Sequence, residues 1–443
     1  MTPARLLLLL LVGAVLPAAR ARADVAPADT TVEGYVRAMA DSTDRWFGLT
    51  AQPVDTTGLD SLRTYYEAHP RARPHARNRP SFTPVLSFNR VLGFAPGAGV
   101  SFGRPLELGR IGAAAQWAMG PDLWLGNGEY VKRWSDALEN NTWSLELHAG
   151  RGVPAMDRDD DQAALGMLRA FIAGTDRRHY LRRDGARLGL SHAAPGWSAG
   201  LEARDQLESP MATTATWTLT GHDPVVVRND QAFAARVHEA GAWSVVRLPG
   251  LPWRLEAHAW RGGGGLGGDV SYTRLRGSLG GPLALGRHVA LLTQLGYGRL
   301  TGTALPQEAF YLGGSTLYSA TANSLQGTGR ALGRAELLLI DPVQSVLGLQ
   351  QRPTFPLQLG VFAGSAARWG FDPLTGVARL TRHDWAARGD WRSEAGFSVL
   401  YRPGLPDPDS FVRLAVAYPI GPGSHATTIT GIYTRALDFL HRR

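Results

Sequence analysis

The stretch TWSLELHAG, residues 142–150, alternates apolar and polar side chains without interruption. One parity holds Trp143, Leu145, Leu147 and Ala149, and the other holds Ser144, Glu146 and His148. Successive side chains of a β-strand point to opposite faces of its sheet. The stretch therefore predicts a strand with one apolar face and one polar face.

The same alternation recurs along the chain, in SAGLEARDQL at 198–207, WRLEAHAW at 253–260 and RLAVAYPI at 413–420. These segments are near the length of a tilted strand that crosses a bilayer. Aromatic residues near their ends, such as Trp143, Trp197 and Trp260, suit a girdle at the membrane surface. We predict an all-β fold over residues 81–443, a transmembrane β-barrel of about 16 antiparallel strands.

The N-terminus reads MTPARLLLLLLVGAVLPAARARAD, a basic start, an apolar run and a small-residue site. This pattern predicts a signal peptide over residues 1–23, because the run is too short to span a bilayer. Residues 24–80 combine two short helical patterns with the linker PRARPHARNRP, which predicts a small periplasmic helical segment. The expected location is the outer membrane of a Gram-negative bacterium.

Composition removes several classes of function. The chain has 443 residues, a net charge of +8 and no cysteine, so disulfides do not stabilise it. The basic residues are scattered instead of clustered with aromatics, which excludes a nucleic-acid partner. No apolar run is long enough for a spanning helix. His238 and Glu239 lack a second histidine at ligand spacing, so we expect no metal and no cofactor.

Two short motifs match catalytic or nucleotide-binding patterns in letters only. GWSAG at 196–200 has the spacing of a nucleophile elbow around Ser198, which requires a strand–turn–helix junction. Here an alternating strand pattern follows it. RGGGGLGGD at 261–269 precedes the strand-like VSYTRLRGSL where a dinucleotide site needs a helix. The first motif predicts a strand and the second a turn, and we expect no enzyme activity.

Two charged segments leave alternatives open. The carboxylates in Asp157–Gln162 suit a calcium site, or loop charge that bridges divalent ions to lipopolysaccharide. The segment DRRHYLRR, Asp176–Arg183, suits contact with lipid phosphates or a position that lines the lumen. It belongs to the largest polar insert, Ala155–Gly185, which we expect to be an external loop.

The last third of the chain resembles the bacterial surface antigen superfamily of outer-membrane barrels, which includes assembly-factor insertases and two-partner secretion translocators. FYLGG at 310–314 is similar to the lead into its long sixth loop. GRALGRAELLL at 329–339 and FPLQLGVFAGSAARWG at 355–370 are similar to the next two strands, and SEAGFSVLYRPGLPDP, SFVRLAVAYPIG and TTITGIYTRALDF to the closing three.

The resemblance implies that the loop at 310–329 folds back into the lumen. Its site positions are Phe310, Tyr311, Leu312, Gly313, Gly314 and Tyr318 in the loop, with Glu336, Phe362 and Gly364 on the strands. In the family a loop arginine reaches an inward aspartate, but this chain has Tyr318 and Gly364 there. Loss of the arginine and the aspartate together is physically consistent, because loss of either one alone would leave the other as a buried unpaired charge.

The resemblance further implies a monomeric conduit for insertion, export or translocation of protein or lipid. Its expected partners are outer-membrane lipids and lipopolysaccharide, with a periplasmic or co-secreted protein as a further partner. Two alternatives remain: a structural or partner-binding surface barrel without transport, and a barrel-embedded hydrolase acting on lipid or lipopolysaccharide.

Overall fold

The computed structural model describes residues 80–104, 108–136, 141–157, 170–171, 175–176, 178–215, 225–226, 229, 232–285, 289–303, 305–320, 325–340, 357–370, 385–401, 410–421 and 428–435. The predicted signal peptide, and the predicted helical segment up to residue 79, lie outside the described residues. Most of the Asp157–Gln162 segment also lies outside them, so neither hypothesis for it is tested.

The described chain is built from strands joined by turns and loops. In chain order they are β1 Ser81–Asn89, β2 Gly93–Arg104, β3 Gly109–Ala118, β4 Leu123–Asp136, β5 Asn141–Gly152, β6 Thr175–Asp176, β7 Leu181–Ala194, β8 Trp197–Pro210, β9 Val225–Val226, β10 Ala235–Arg247, β11 Arg254–Gly262, β12 Tyr272–Ala284, β13 Val289–Gly302, β14 Phe310–Leu312, β15 Leu325–Gly327, β16 Gly329–Ile340, β17 Leu357–Trp369, β18 Trp391–Tyr401, β19 Ser410–Ile420 and β20 Thr428–Arg435. Short 3₁₀ turns occupy Gly264–Leu266, Pro306–Glu308 and Arg388–Asp390.

The long strands form one meander. Within the described residues they make a 16-stranded sheet in which each strand pairs antiparallel with its neighbours in sequence. The pairs β6–β9 and β14–β15 stand apart from it. The all-β, antiparallel prediction is confirmed, and Ser198 lies inside β8 as its pattern predicts. No pairing joins the described residues of β1 and β20. No helix in the described part is long and apolar enough to cross a membrane.

The two faces of the sheet differ in polarity. The apolar face is exposed and the polar face is covered, which is the reverse of a water-soluble sandwich. One face, here the outward face, exposes large apolar side chains, including Phe102, Ile111, Leu147, Leu188, Leu201, Leu295, Val361, Phe397 and Leu414. The other, here the inward face, carries partly or fully buried ion pairs such as Arg183–Glu208 at 2.7 Å and Arg187–Glu146 at 3.3 Å. A contiguous exposed apolar surface marks contact with an apolar environment.

The two ends of the sheet differ in their connections. The four longest connections, at 153–180, 211–234, 303–328 and 370–390, all emerge at the same end. The opposite end has mostly short turns, such as Pro195–Gly196 between β7 and β8. The predicted insert Ala155–Gly185 is too long, because β7 begins at Leu181 and its first residues pair with β8.

Aromatic residues gather on the outward face at the short-turn end. The Trp143 ring lies 4.6 Å from that of His192, which lies 4.9 Å from that of Trp197, and Trp134 is the strand partner of Trp143. Trp260 does not belong to this girdle, contrary to the prediction. Its ring faces inward, stacks on His258 and lies 5.3 Å from the guanidinium of Arg274, so a cation–π contact places it there.

Candidate functional site: a loop docked on the inward face

The connection between β13 and β16, residues 303–328, folds onto the inward face, and we call it the plug loop. Its short hairpin β14–β15 pairs Tyr311 with Gln326. Side chains of Phe310, Tyr311 and Leu312 are buried, as are those of Leu317 and Tyr318. A surface loop normally stays hydrated because its backbone needs hydrogen-bond partners. Such complete burial means that the sheet wall supplies partners for this loop.

Two glycines reverse the chain after the hairpin. Gly313 and Gly314 have φ values of 115° and 62°, in a region of backbone conformation that residues other than glycine rarely adopt. The Gly313 N–H is bonded to the Thr316 hydroxyl at 2.9 Å, and the Gly314 N–H to the Ala320 carbonyl at 3.0 Å. The reversal directs Leu317 and Tyr318 toward β16 and β17.

An ion pair between two strands of the sheet, Arg334–Glu394, holds the tip of the plug loop. We call this pair, together with Tyr318, the latch. Arg334 on β16 and Glu394 on β18 are 3.0 Å apart, with side chains 7% and 0% exposed. Arg334 also donates to the loop carbonyls of Ser315 and Thr316, at 3.0 and 3.1 Å. The Ser319 N–H donates to Glu394 at 2.6 Å. Charge-assisted bonds of this kind are about twice as strong as neutral ones.

Gly364, which the resemblance places at the family's aspartate position, lies between the two charges of the latch. It is the strand partner of both Arg334 and Glu394, so the ion pair crosses β17 over a residue without a side chain. A carboxylate is therefore present one strand away from the expected position, and the arginine comes from the wall instead of the loop. The sequence alone does not predict the Arg334–Glu394 pair. Both residues do lie at polar positions of the predicted strands GRALGRAELLL and SEAGFSVLYRPGLPDP.

Tyr318, which the resemblance places at the loop's arginine position, contacts two arginines of the sheet. Its ring lies 3.6 Å from the Arg334 guanidinium carbon and meets Phe362 edge-on at 5.1 Å. Its hydroxyl accepts a hydrogen bond from Arg413 on β19. The loop thus offers an aromatic face and a hydroxyl acceptor to arginines of the wall, which reverses the polarity that the resemblance implies.

Glu336, the acidic position predicted on β16, fixes Arg413. The two side chains are 2.9 Å apart and nearly buried, and the Ser398 hydroxyl donates to the other Glu336 oxygen. Arg413 is thereby aimed at Tyr318. The structure brings together Glu336, Phe362, Gly364 and Tyr318 from the sequence-predicted set, and it adds Arg334, Glu394, Ser398 and Arg413.

A second contact anchors the base of the loop. The Phe310 ring lies 4.5 Å from the Arg274 guanidinium and 5.0 Å from that of Arg330. A Cβ on Gly298 would come within 2.6 Å of this ring, so Phe310 needs a glycine beneath it. The Arg274 Nε also donates to the Glu308 carbonyl at 3.2 Å. Stacked guanidinium groups can hold an aromatic ring strongly when water is excluded.

Tyr311 links the plug loop to other connections at the same end. It packs with Met156, Leu181 and Ala232, and its hydroxyl donates to the Pro306 carbonyl at 3.0 Å. Burial raises the pKa of the Tyr311 phenol well above its usual range, and Gln326 opposes this by donating a hydrogen bond to it. The phenol therefore stays neutral at physiological pH.

The β1–β2 turn is tied to two further connections by Arg90. Its guanidinium donates to the Arg178 carbonyl and to Asn229, and its backbone N–H to Asp176. Burial lowers the pKa of Arg90, and Asp176 counteracts that shift. Asp176 and His179 are buried here, so these two residues of the DRRHYLRR segment neither meet lipid nor line an open lumen.

Replacing Tyr318 by arginine is expected to release the plug loop instead of restoring a family contact. The new guanidinium would stand beside Arg334 and Arg413 with Gly364 unable to neutralise it, and an unpaired buried charge costs about 3–5 kcal/mol. Chymotrypsin cleavage after Phe310 or Tyr311 measures the release. Tyr318→Phe, which loses only the hydroxyl, should be cleaved far less.

Adding Gly364→Asp to Tyr318→Arg should restore part of the protection. A Cβ at Gly364 meets its nearest neighbours at 3.4 Å or more, so the side chain fits beside Arg334. Equal cleavage of the single and double variants would contradict the assignment of these positions.

Comparison with known proteins gives distant similarities. No protein-family model matches the chain, and no curated protein matches it. CdiB from Acinetobacter baumannii is 10% identical with a TM-score of 0.41, and CdiB from Escherichia coli is 12% identical with the same score. Each comparison covers 80% of this chain, but 58% and 61% of the respective CdiB chain, so this chain spans about three fifths of their length.

The outer membrane protein OprD from Pseudomonas aeruginosa is 12% identical with a TM-score of 0.31, over 80% of this chain and 90% of OprD. At these identities and scores the similarities assign neither a family nor an activity. Function is inferred below from the chain's own residues.

The other sequence motifs do not assemble a reactive centre in the described part of the chain. His238 contacts Asp205 at 3.2 Å, the Leu266 carbonyl at 2.8 Å and Arg236 at 3.1 Å, which occupies both ring nitrogens. RGGGGLGGD forms a 3₁₀ turn between β11 and β12. Across the described ranges, no three of His, Cys, Asp and Glu gather as metal ligands.

Proposed function

We propose that the chain is a closed outer-membrane β-barrel in which the plug loop gates a conduit for polypeptide or lipid. The observation that carries the proposal is the docking of the plug loop on the polar face through buried ionic contacts. Lipid offers the backbone no hydrogen bonds, so a sheet with an apolar outside needs β1 and β20 to meet. The long connections would face the exterior.

The outward face has dimensions that suit an outer membrane. From Trp143 in the aromatic cluster to Arg151 near the other end of β5 is an eight-residue interval, about 27 Å along the strand. At a strand tilt of about 35–45° this gives a height of about 19–22 Å, a little below the apolar band of about 25 Å that such barrels show. The inward face carries ion pairs that would be wetted in an open pore and covered when the loop is docked.

The gating role follows from the strength and polarity of the contacts. Hydrogen bonds to charged groups contribute about 1.5–3 kcal/mol each, so the docked state dominates at rest while a cargo that competes for the arginines could displace the loop. We propose a monomer that receives cargo from a periplasmic or co-secreted protein. Among the described residues His238 contacts Asp205, Arg236 and the Leu266 carbonyl, and we propose no catalytic role for it.

The absence of cysteine permits a direct test with one introduced thiol. Ala366 is buried against Leu312 and Leu317 of the plug loop, so Ala366→Cys reports undocking. In planar bilayers we expect a closed baseline with brief openings. A bulky charged maleimide should react during the openings and turn them into lasting current, because it prevents redocking. Gly265→Cys, in open space, should react without any change in current.

A bilayer that shows no openings, with Ala366→Cys unreactive in a folded protein, would favour the structural or partner-binding barrel over a conduit. Reaction without current would place the motion in the loop but deny a pore.

If the outward face contacts lipid, a charged residue introduced on that face should lower the stability of the protein in a bilayer. Leu201 is 62% exposed near the middle of β8, so Leu201→Arg would be neutral in water but should cost about 2–4 kcal/mol in a bilayer. The free energy of folding into lipid vesicles measures it. Leu251→Arg, at an exposed leucine in the β10–β11 turn, is the matched control and should change little. Equal and small losses of folding free energy in the two variants would contradict the proposed contact of the outward face with lipid.

A further inference from the structure

A groove crosses the outward face over β3, β4, β5, β7, β8 and β10. It has a volume of about 820 Å³. Each strand contributes three consecutive residues, of which the outer two belong to the outward parity, so the groove opens on that face. Its floor is one register row of small residues, Ala113, Gly128, Ala149 and Ala186.

The side of the groove nearer the short turns is apolar, and the end of the groove at β8 and β10 is polar. The next row toward the short turns consists of larger side chains, Ile111, Tyr130, Leu147 and Leu188. The small-residue row itself continues through Asp205 into His238. An apolar channel therefore leads along the perimeter to a polar end.

Arginines lie along the side of the groove nearer the long connections. Arg151 and Arg182 share one carboxylate, that of Asp184, at 2.5 and 3.1 Å, so this trio keeps an excess positive charge. Arg236 is 59% exposed and stands in the same register row as Arg151, with Asp205 at 3.2 Å. Among these arginines Arg182 belongs to the DRRHYLRR segment, whereas its neighbour Arg183 turns inward to Glu208.

The spacing of these charges indicates the kind of headgroup. Neighbouring strands are about 4.8 Å apart, which puts Arg236 roughly 10–14 Å from Arg182 and Arg151 across β8. A glycerophospholipid such as phosphatidylglycerol presents one phosphate, whereas the two phosphates of a disaccharide phosphorylated at both ends span such a distance. Arginine binds phosphate through paired, charge-assisted hydrogen bonds.

We propose that this groove binds a diphosphorylated, acylated disaccharide of the lipid A class. An acyl chain lies on the small-residue row, one phosphate meets Arg151 and Arg182, and the other meets Arg236. The inference rests on the proposed membrane placement of the outward face but not on gating, because these residues lie on the outward face whereas the plug loop docks on the inward face.

The test is a native mass spectrometry titration of the delipidated mature chain with three probes: diphosphoryl lipid A, monophosphoryl lipid A and phosphatidylglycerol. Wild type should prefer the diphosphoryl form. Arg151→Gln with Arg182→Gln should weaken it about tenfold, the factor for 1.4 kcal/mol, to the level of the monophosphoryl form. Ala149→Trp with Ala186→Trp fills the floor and should abolish the preference.

Matched controls exist on the same sheet. Ala363→Trp is exposed on the outward face of β17, and Arg247→Gln is exposed at the short-turn end of β10; both should bind as wild type. Equal affinity of wild type for all three probes, or wild-type affinity in the groove variants, would overturn the proposal. If the tryptophan variant fails to fold, the arginine variant decides alone. Bilayer currents of each variant, expected unchanged, keep this result separate from gating.

Discussion

Replacing residues 303–327 by a short glycine–serine linker is expected to convert a mostly closed protein into one with a large, lasting conductance. The replaced segment carries Phe310, Tyr311, Leu317 and Tyr318, whose burial fills the space against the inward face. Without it, Arg334, Glu394 and their neighbours on the inward face would be hydrated, and the apolar barrier that these four side chains form would be gone. Single-channel recording in planar bilayers measures the change.

Two comparisons sharpen this result. The same linker in place of residues 249–252, between β10 and β11, should leave the protein closed, since that turn lies at the short-turn end of the sheet. Removing residues 24–80 as well should add nothing if the loop alone closes the pore. A folded, inserted protein that stays closed after loop replacement would contradict the gating role.

The sheet could be predicted from sequence because its signal is local. The alternation in residues 142–150 describes one strand and needs no partner, and β5 indeed spans Asn141–Gly152. Residues 176–183 show where local pattern fails. β7 begins at Leu181, so adjacent Arg182 and Arg183 point to opposite faces, while Asp176 joins a buried cluster with Arg90.

The latch could not be predicted because it depends on register across three strands. Arg334 and Glu394 are 60 positions apart in the chain, and only the pairing of both with Gly364 sets them face to face. The resemblance draws attention to residues 310–329, most of which belong to the loop that docks on the inward face. It does not reveal that a glycine opens a path for an ion pair from neighbouring strands, since that requires knowing which residues oppose each other.

Breaking the latch ion pair is expected to raise the reactivity of Ala366→Cys by about two to three orders of magnitude. Either Arg334→Gln or Glu394→Gln leaves a buried charge without its partner, a loss of about 3–5 kcal/mol, and each 1.4 kcal/mol changes the equilibrium tenfold. The loss falls on the docked state, because the undocked side chains are hydrated. Maleimide labelling rates in lipid vesicles give the undocked fraction.

The pair of variants together separates the ion pair from simple damage. If Arg334 and Glu394 act through each other, the double variant should be clearly less reactive than the sum of the two single costs predicts, since it buries no unpaired charge. Additive costs would mean that each residue binds the loop independently, Arg334 through Ser315 and Thr316, and Glu394 through Ser319.

The Arg183–Glu208 pair supplies a control of the same kind. It is an ion pair on the same inward face, with Glu208 fully buried, but its strands β7 and β8 do not touch the latch. Glu208→Gln should lower the stability of the sheet and leave the Ala366→Cys rate unchanged. If it accelerates labelling as much as Glu394→Gln does, the label reports general loosening of the sheet and the latch loses its special role.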